Sequence, residues 1–162
     1  DTDFVGVDGI GGGRFASADA LADGIASYWP ASAIGQKFVV CTGGEPLLQM
    51  DDELVAALHQ RGFQVAIETN GTISALAGLD WICVSPKTKG NLVLTKGDEL
   101  KLIYPQIGAE PERYQHLEFA HFFLQPMDGP DRERNTKLAI AYCLAHPRWR
   151  LSLQTQKILG IR

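Results

Sequence analysis

The feature that most constrains the fold of this chain is a set of short apolar runs, KFVVC at 37 to 41, FQVAIE at 63 to 68 and WICVS at 81 to 85, separated by segments of helical periodicity. Strands apolar on consecutive positions are buried on both faces, and that burial arises when helices cover a parallel sheet. The intervening patterns supply those helices. From Ser17 to Trp29, Ala18, Leu21, Ile25 and Tyr28 form one stripe, with Ser17 as N-cap and Pro30 just past the end. Asp51 caps DDELVAALHQR, whose Leu54, Val55 and Leu58 face ends at Gly62. A short helical piece is predicted near Ile73 to Ala77, and a longer helix over Asn135 to His146 with Leu138, Ala141 and Tyr142 inward. Further strands are predicted at ELKLIY (99 to 104), HFFLQ (121 to 125) and RLSLQ (150 to 154).

The fold class is therefore α/β with parallel strands. Periodicity leaves open a doubly wound sheet or a partial barrel, and about five or six strands are too few for eight-stranded closure. At 162 residues the chain has the size of a single domain, 1–162, and no repeat or low-complexity tract divides it. The Gly-rich DGIGGGRF at 8 to 15 has neither dinucleotide nor phosphate-loop spacing and reads as a flexible loop.

Charge and composition narrow the function. A formal net charge of −4 gives no basic face for neutralising phosphates, so no nucleic-acid partner is expected. No apolar run reaches the roughly 18 residues of a membrane span, and DTDFVGVDG lacks the basic and apolar regions of an export signal. The expected location is cytoplasmic, with no membrane partner. Cys41, Cys83 and Cys143 lie far apart and read as small core residues of a reducing compartment, with no metal-motif spacing. The sequon Asn70-Gly71-Thr72 carries no meaning without export.

In parallel α/β folds the ligand site lies beyond the carboxyl ends of the strands. Five ends here are polar: Thr42-Gly43-Gly44-Glu45-Pro46, Glu68-Thr69-Asn70-Gly71, Ser85-Pro86-Lys87, Gln125-Pro126-Met127-Asp128-Gly129 and Gln154-Thr155-Gln156-Lys157. Gly43 and Gly44 let main-chain groups approach a ligand, and Glu45 can accept hydrogen bonds from an ammonium. The alternative is a tight strand-to-helix turn, with Glu45 at the helix start and Pro46 in its first position. Glu68 closes an apolar strand, where an unpaired carboxylate is costly and a hydroxyl-bearing ligand would satisfy it. Asn70-Gly71 suits a hairpin, yet no alternating strand follows. Ser85 and Lys87 fit a ligand carboxylate, or else a surface lysine after a proline turn. Gln125 and the main chain around Met127 fit a planar heterocycle with Met on its face, or else a Pro-Gly loop. Together these ends outline a ligand with an ammonium, a carboxylate, sugar hydroxyls and an aromatic base, which fits S-adenosylmethionine.

CTGGEP, ETNG, WICVSPK, QPMDGP, RLSLQTQK and the initial DTDFVG resemble the 7-carboxy-7-deazaguanine synthase family of radical S-adenosylmethionine enzymes, over essentially the whole chain. The resemblance implies a reduced, partial βα barrel of the radical SAM type, a homodimer, a [4Fe-4S] cluster, S-adenosylmethionine and Mg²⁺. It implies a lyase that converts 6-carboxy-5,6,7,8-tetrahydropterin to 7-carboxy-7-deazaguanine with loss of ammonia, in queuosine and deazapurine biosynthesis. A 5′-deoxyadenosyl radical would start that reaction, fed by an electron donor such as flavodoxin or ferredoxin. By the same resemblance Gly43, Gly44 and Glu45 hold the methionyl amino group, Ser85 and Lys87 its carboxylate, Glu68 the ribose, and Gln125 to Asp128 the adenine. Thr42, Gln156 and Arg162 are assigned to the pterin and Thr2 to Mg²⁺.

Two departures from the family pattern stand out. The family's three cluster cysteines precede DTDFVG, so none is in this chain, which reads as a domain missing its first strand and cluster loop and inactive as it stands. Gln156 replaces a histidine near the substrate, and Arg162 a different terminal residue; glutamine still hydrogen-bonds but does not titrate near neutrality. Two rival functions remain at this level. One is a Schiff-base lyase or aldolase with Lys87 as nucleophile and Glu68 as proton carrier; the other is a non-catalytic nucleoside-binding module.

Overall fold

The computed structural model describes residues 13–88 and 90–160. They form α1 (Ala18–Ser27), β1 (Lys37–Cys41), α2 (Asp52–Gln60), β2 (Phe63–Thr69), β3 (Trp81–Val84), β4 (Lys96–Tyr104), β5 (Glu118–Pro126), α3 (Arg132–Ala145), β6 (Trp149–Leu151) and α4 (Thr155–Leu159), with 3-10 turns at Pro46–Leu48 and Pro111–Arg113. The six strands are hydrogen-bonded in chain order in one sheet. The pairs β1–β2, β3–β4, β4–β5 and β5–β6 are parallel, so the α/β class follows as the apolar runs require. The chain divides into two compact units, one of residues up to Glu68 with Ala75–Ile82, the other of Thr69–Ser74 with residues from Cys83 onward.

In the first unit, α1 and α2 start where their caps dictate: the Ser17 hydroxyl accepts the Ala20 N–H at 3.1 Å, and the Asp51 carboxylate accepts the Leu54 N–H at 2.8 Å. Ala22, Leu54, Ala57, Leu58, Phe63 and Val65 make the buried cluster, as the α2 stripe predicts. Tyr28 does not join it. The helix ends before this residue, which becomes the C-cap and is 75% exposed, while Trp29 turns inward and meets Phe63 edge-on at 6.1 Å. Burial on both faces also fails at β1, which ends the sheet among the described residues: Val39 and Cys41 pack against the α1–α2 cluster, while Phe38 and Val40, on the opposite face, are nearly half exposed.

The short helix near Ile73 to Ala77 is absent. The run leads instead into β3, and the Asp80 side chain ties its end to β2. Asp80 accepts the Val65 N–H at 2.7 Å and pairs with His59 at 2.9 Å, while its own N–H donates to Val65 O at 2.9 Å. The Val65 N–H first, then His59, hold the Asp80 carboxyl below the usual carboxylate range. A lowered folded-state pKa stabilises above the ordinary carboxylate value, and the contribution is lost as pH falls through the folded value. Asp80→Ala is therefore expected to lower the urea midpoint at pH 7 and to narrow its difference from the parent under acid; equal deficits at pH 7 and pH 3 would contradict this linkage.

In the second unit β4 and β5 pair from Lys96↔Glu118 to Tyr104↔Pro126, both starting earlier than ELKLIY and HFFLQ because the ladder continues through polar and glycine positions. Val84, Leu100, Leu102, Phe122 and Leu124 are buried, and Trp149 of β6 meets Phe122 edge-on at 5.2 Å. Helix α3 begins at Arg132 and turns Asn135 and Ala139 inward; Leu138 and Ala141, assigned to the core by periodicity, face out. Strand β6 stops at Leu151, short of Gln154, although the Ser152 N–H still reaches Leu124 O at 2.9 Å.

Candidate ligand site at the strand ends

The first unit places two of the five polar ends side by side. Cys41 lies opposite Ile67 in the β1–β2 ladder, so Thr42 to Glu45 and Glu68 leave the same edge of that pair. Gly43 has φ +124, which only glycine adopts without strain, while Gly44 has no such requirement. A Cβ at either position would meet nothing within 4 Å, so both glycines border open space. Glu45 performs the capping role of the structural alternative: its carboxylate accepts the Leu47 N–H at 3.2 Å, with Pro46 in the first position of the turn. This cap orients the carboxylate and uses one of the several acceptor sites such a group offers. Glu68 is half-buried at the end of β2, and Thr42 is exposed.

The second unit explains the rest of ETNG. Thr69 is buried, and its hydroxyl accepts the Gly71 N–H at 3.1 Å; Asn70 accepts the Thr72 N–H at 2.9 Å. Two side-chain-closed turns thus follow β2, in place of a hairpin. Gly71 has φ +78, and its carbonyl accepts the Val93 and Leu94 N–H groups at 2.8 and 3.1 Å. The Thr69 carbonyl accepts the Ser85 N–H at 2.8 Å, which fixes the start of Ser85-Pro86-Lys87. Lys87 is exposed, and its carbonyl closes a turn with the Gly90 N–H at 3.0 Å.

Gln125 lies opposite Ile103 near the end of the β4–β5 ladder. Beyond it the main chain of Met127 is held from two directions. Its N–H donates to Tyr104 O at 2.8 Å, and its carbonyl accepts from Asn135 Nδ2 at 3.0 Å. The Asp128 carboxylate pairs with Lys157 of α4 at 2.7 Å, and that ammonium is the first cause of its lowered pKa. Gln156 is exposed on α4. Thr2, Arg162 and most of DGIGGGRF lie outside the described residues.

Sequence reasoning missed three contributors here: Tyr104, Asn135 and Lys157 in its role as partner of Asp128. The five ends omit that of β4, although Tyr104-Pro105 carries the same stop signal as the others. Asn135 gives no sequence signal, because a polar residue in a helix is ordinarily solvated. Among the described residues no group of three or more His, Cys, Asp or Glu side chains is placed to hold a metal ion, and no helix is long and apolar enough to cross a membrane.

A search against family models gives no match. Individual proteins do match. The 7-carboxy-7-deazaguanine synthase of Caulobacter vibrioides is 61% identical over 161 residues, covering 99% of this chain and 76% of the relative. That of Bradyrhizobium diazoefficiens is 63% identical over 162 residues, covering 100% and 77%. This chain belongs to the 7-carboxy-7-deazaguanine synthase family. The crystal structure of QueE from Escherichia coli superposes with a TM-score of 0.67 at 30% identity, over 86% of this chain and 64% of that one. The fold is accordingly the mixed α/β fold of a radical S-adenosylmethionine lyase family, as the resemblance of the strand-end motifs implies. The chain spans about three quarters of the curated synthases it matches and about two thirds of the solved one.

Proposed function

We propose that this chain supplies the S-adenosylmethionine- and pterin-binding body of a carbon–nitrogen lyase that converts 6-carboxy-5,6,7,8-tetrahydropterin to 7-carboxy-7-deazaguanine with loss of ammonia. The observation that carries the proposal is identity of 61% and 63% to two synthases of that name over practically the whole chain. The open space beside Gly43 and Gly44 and the oriented Glu45 carboxylate fit the aminoacyl end of S-adenosylmethionine. Gly43, Gly44 and Glu45 receive the amino group, Ser85 and Lys87 the carboxylate, Glu68 the ribose, and Gln125 to Asp128 the adenine. Thr42 and Gln156, with Arg162, receive the pterin.

When bound, S-adenosylmethionine supplies the radical chemistry, while the residues of this chain bind, orient and shield. The described residues offer no donor set for the [4Fe-4S] cluster or Mg²⁺, so no step is assigned to them through either group. The proposal keeps both cofactors, with Thr2 near Mg²⁺, for the full-length protein. It also includes a single radical SAM domain, a homodimer, a flavodoxin- or ferredoxin-like electron donor and a cytoplasmic location.

Lys87 is exposed, whereas a Schiff-base lysine works from a desolvated pocket, and no observation favours that rival or a non-catalytic module. The test is anaerobic reconstitution of the full-length protein with iron and sulfide, followed by product analysis. Ammonia and 7-carboxy-7-deazaguanine are expected on addition of reductant, S-adenosylmethionine, Mg²⁺ and the tetrahydropterin. Borohydride trapping of substrate on Lys87, with no deazapurine formed, would replace this function by the lyase of Schiff-base type.

A further inference from the structure

We propose that Asn135 is a positioning residue for the nucleoside end of the ligand: with the Tyr104 carbonyl it fixes the Met127 main chain, so that the Gln125–Asp128 segment is pre-formed before a purine arrives. The inference rests on the assignment of that segment to the adenine of S-adenosylmethionine.

Asn135 is 8% exposed, in a helix whose other buried residue is Ala139. Asparagine is a poor helix former, and burying its carboxamide is unfavourable unless a hydrogen bond compensates. The compensation is specific, for Nδ2 donates to Met127 O at 3.0 Å, across from α3 to the loop that follows β5. The Met127 N–H is committed as well, to Tyr104 O at 2.8 Å. Both main-chain polar groups of Met127 thus serve the fold, and its N–H has no second hydrogen bond to give. A heterocycle lying here takes its donors from neighbouring positions and uses Met127 through its side chain.

The surface beside the segment agrees with that division. Met127 lines an open concavity with Tyr104, Pro105, Gln106 and Ile107, an apolar and aromatic wall suited to the face of a planar ring. Pro126 and Asp128 line a second concavity with Arg132 and Lys157. Consecutive residues of the segment thus line both concavities, and a shift of its main chain would move both walls together. A main chain held on both sides before binding loses less conformational freedom on binding, which is the benefit of preorganisation.

The test uses the full-length protein, reconstituted anaerobically, with S-adenosylhomocysteine as the binding probe. Asn135→Asp keeps the shape of the side chain but sets an acceptor against the Met127 carbonyl. We expect its Kd for the probe to rise about tenfold, and KM for S-adenosylmethionine to rise similarly with kcat within about twofold of the parent. A fall in kcat with unchanged KM and Kd would overturn the positioning role. Failure of the parent to bind the probe would sink the adenine assignment and this inference with it, whereas equal binding by parent and Asn135→Asp sinks the inference alone. Should the variant not fold, hydrogen exchange on the parent decides: the Met127 amide is expected to be protected without ligand and little changed by it. Free exchange at Met127 that becomes protected only with the probe would show a loop ordered by its ligand, contrary to the proposal.

Discussion

Replacing Gly71 with alanine is expected to destabilise the protein by roughly 2–5 kcal/mol, read as a lower urea midpoint at unchanged slope. Two costs act at this position. The φ of +78 is strained for any residue with a Cβ, and that Cβ would lie 2.7 Å from both Val84 Cγ1 and Leu92 Cδ1. Val84 is fully buried in β3, so it cannot yield without opening the core. The Gly71 carbonyl also anchors residues 93 and 94, so a backbone adjustment there disturbs the segment that leads into β4. Gly44→Ala is the control: with no positive φ and nothing within 4 Å of the new methyl, its stability should stay within about 0.5 kcal/mol of the parent. A Gly71→Ala protein as stable as Gly44→Ala would contradict the packing described for the ETNG turn.

Loss of Glu68 should act on binding. In the full-length protein Glu68→Ala is expected to weaken S-adenosylmethionine binding by about 1.5–3 kcal/mol, the range for a hydrogen bond to a charged group, or about tenfold to a hundredfold and more in Kd. Glu68 closes β2 beside the Gly43–Glu45 turn and is half-buried, so ribose hydroxyls meeting it would find a partly desolvated acceptor. Glu68→Gln, which keeps an acceptor oxygen without the charge, should fall between the two. Calorimetry that returned the parent affinity for Glu68→Ala would remove this residue from the site, and the ribose assignment would pass to another strand end.

The ETNG motif illustrates how one string of letters can serve two purposes. Thr69, Asn70 and Gly71 owe their identities to turn closure and to packing against Val84 and Leu92, while Glu68 stands at the end of β2 beside the Gly43–Glu45 turn. TGGEP divides in the same way. Gly43 answers to a positive φ and Glu45 caps a turn, but nothing in the local geometry demands glycine at position 44. That leaves room for a ligand as its physical explanation.

The amino-acid sequence by itself determined the class of the fold, the capped helices α1 and α2, and the polar list at the strand ends, because caps, periodicity and apolar runs are local properties written in neighbouring residues. Only the tertiary structure decided that Tyr28 and Leu138 face out, that residues 73 to 77 form no helix, and that Asn135, Tyr104 and Lys157 hold the segment around Met127. Those outcomes depend on how the chain folds back on itself. Burial of a polar amide on α3 becomes favourable only when the turn after β5 brings the Met127 carbonyl to meet it, and a contact between residues eight apart across a turn follows no helix or strand period that the sequence displays.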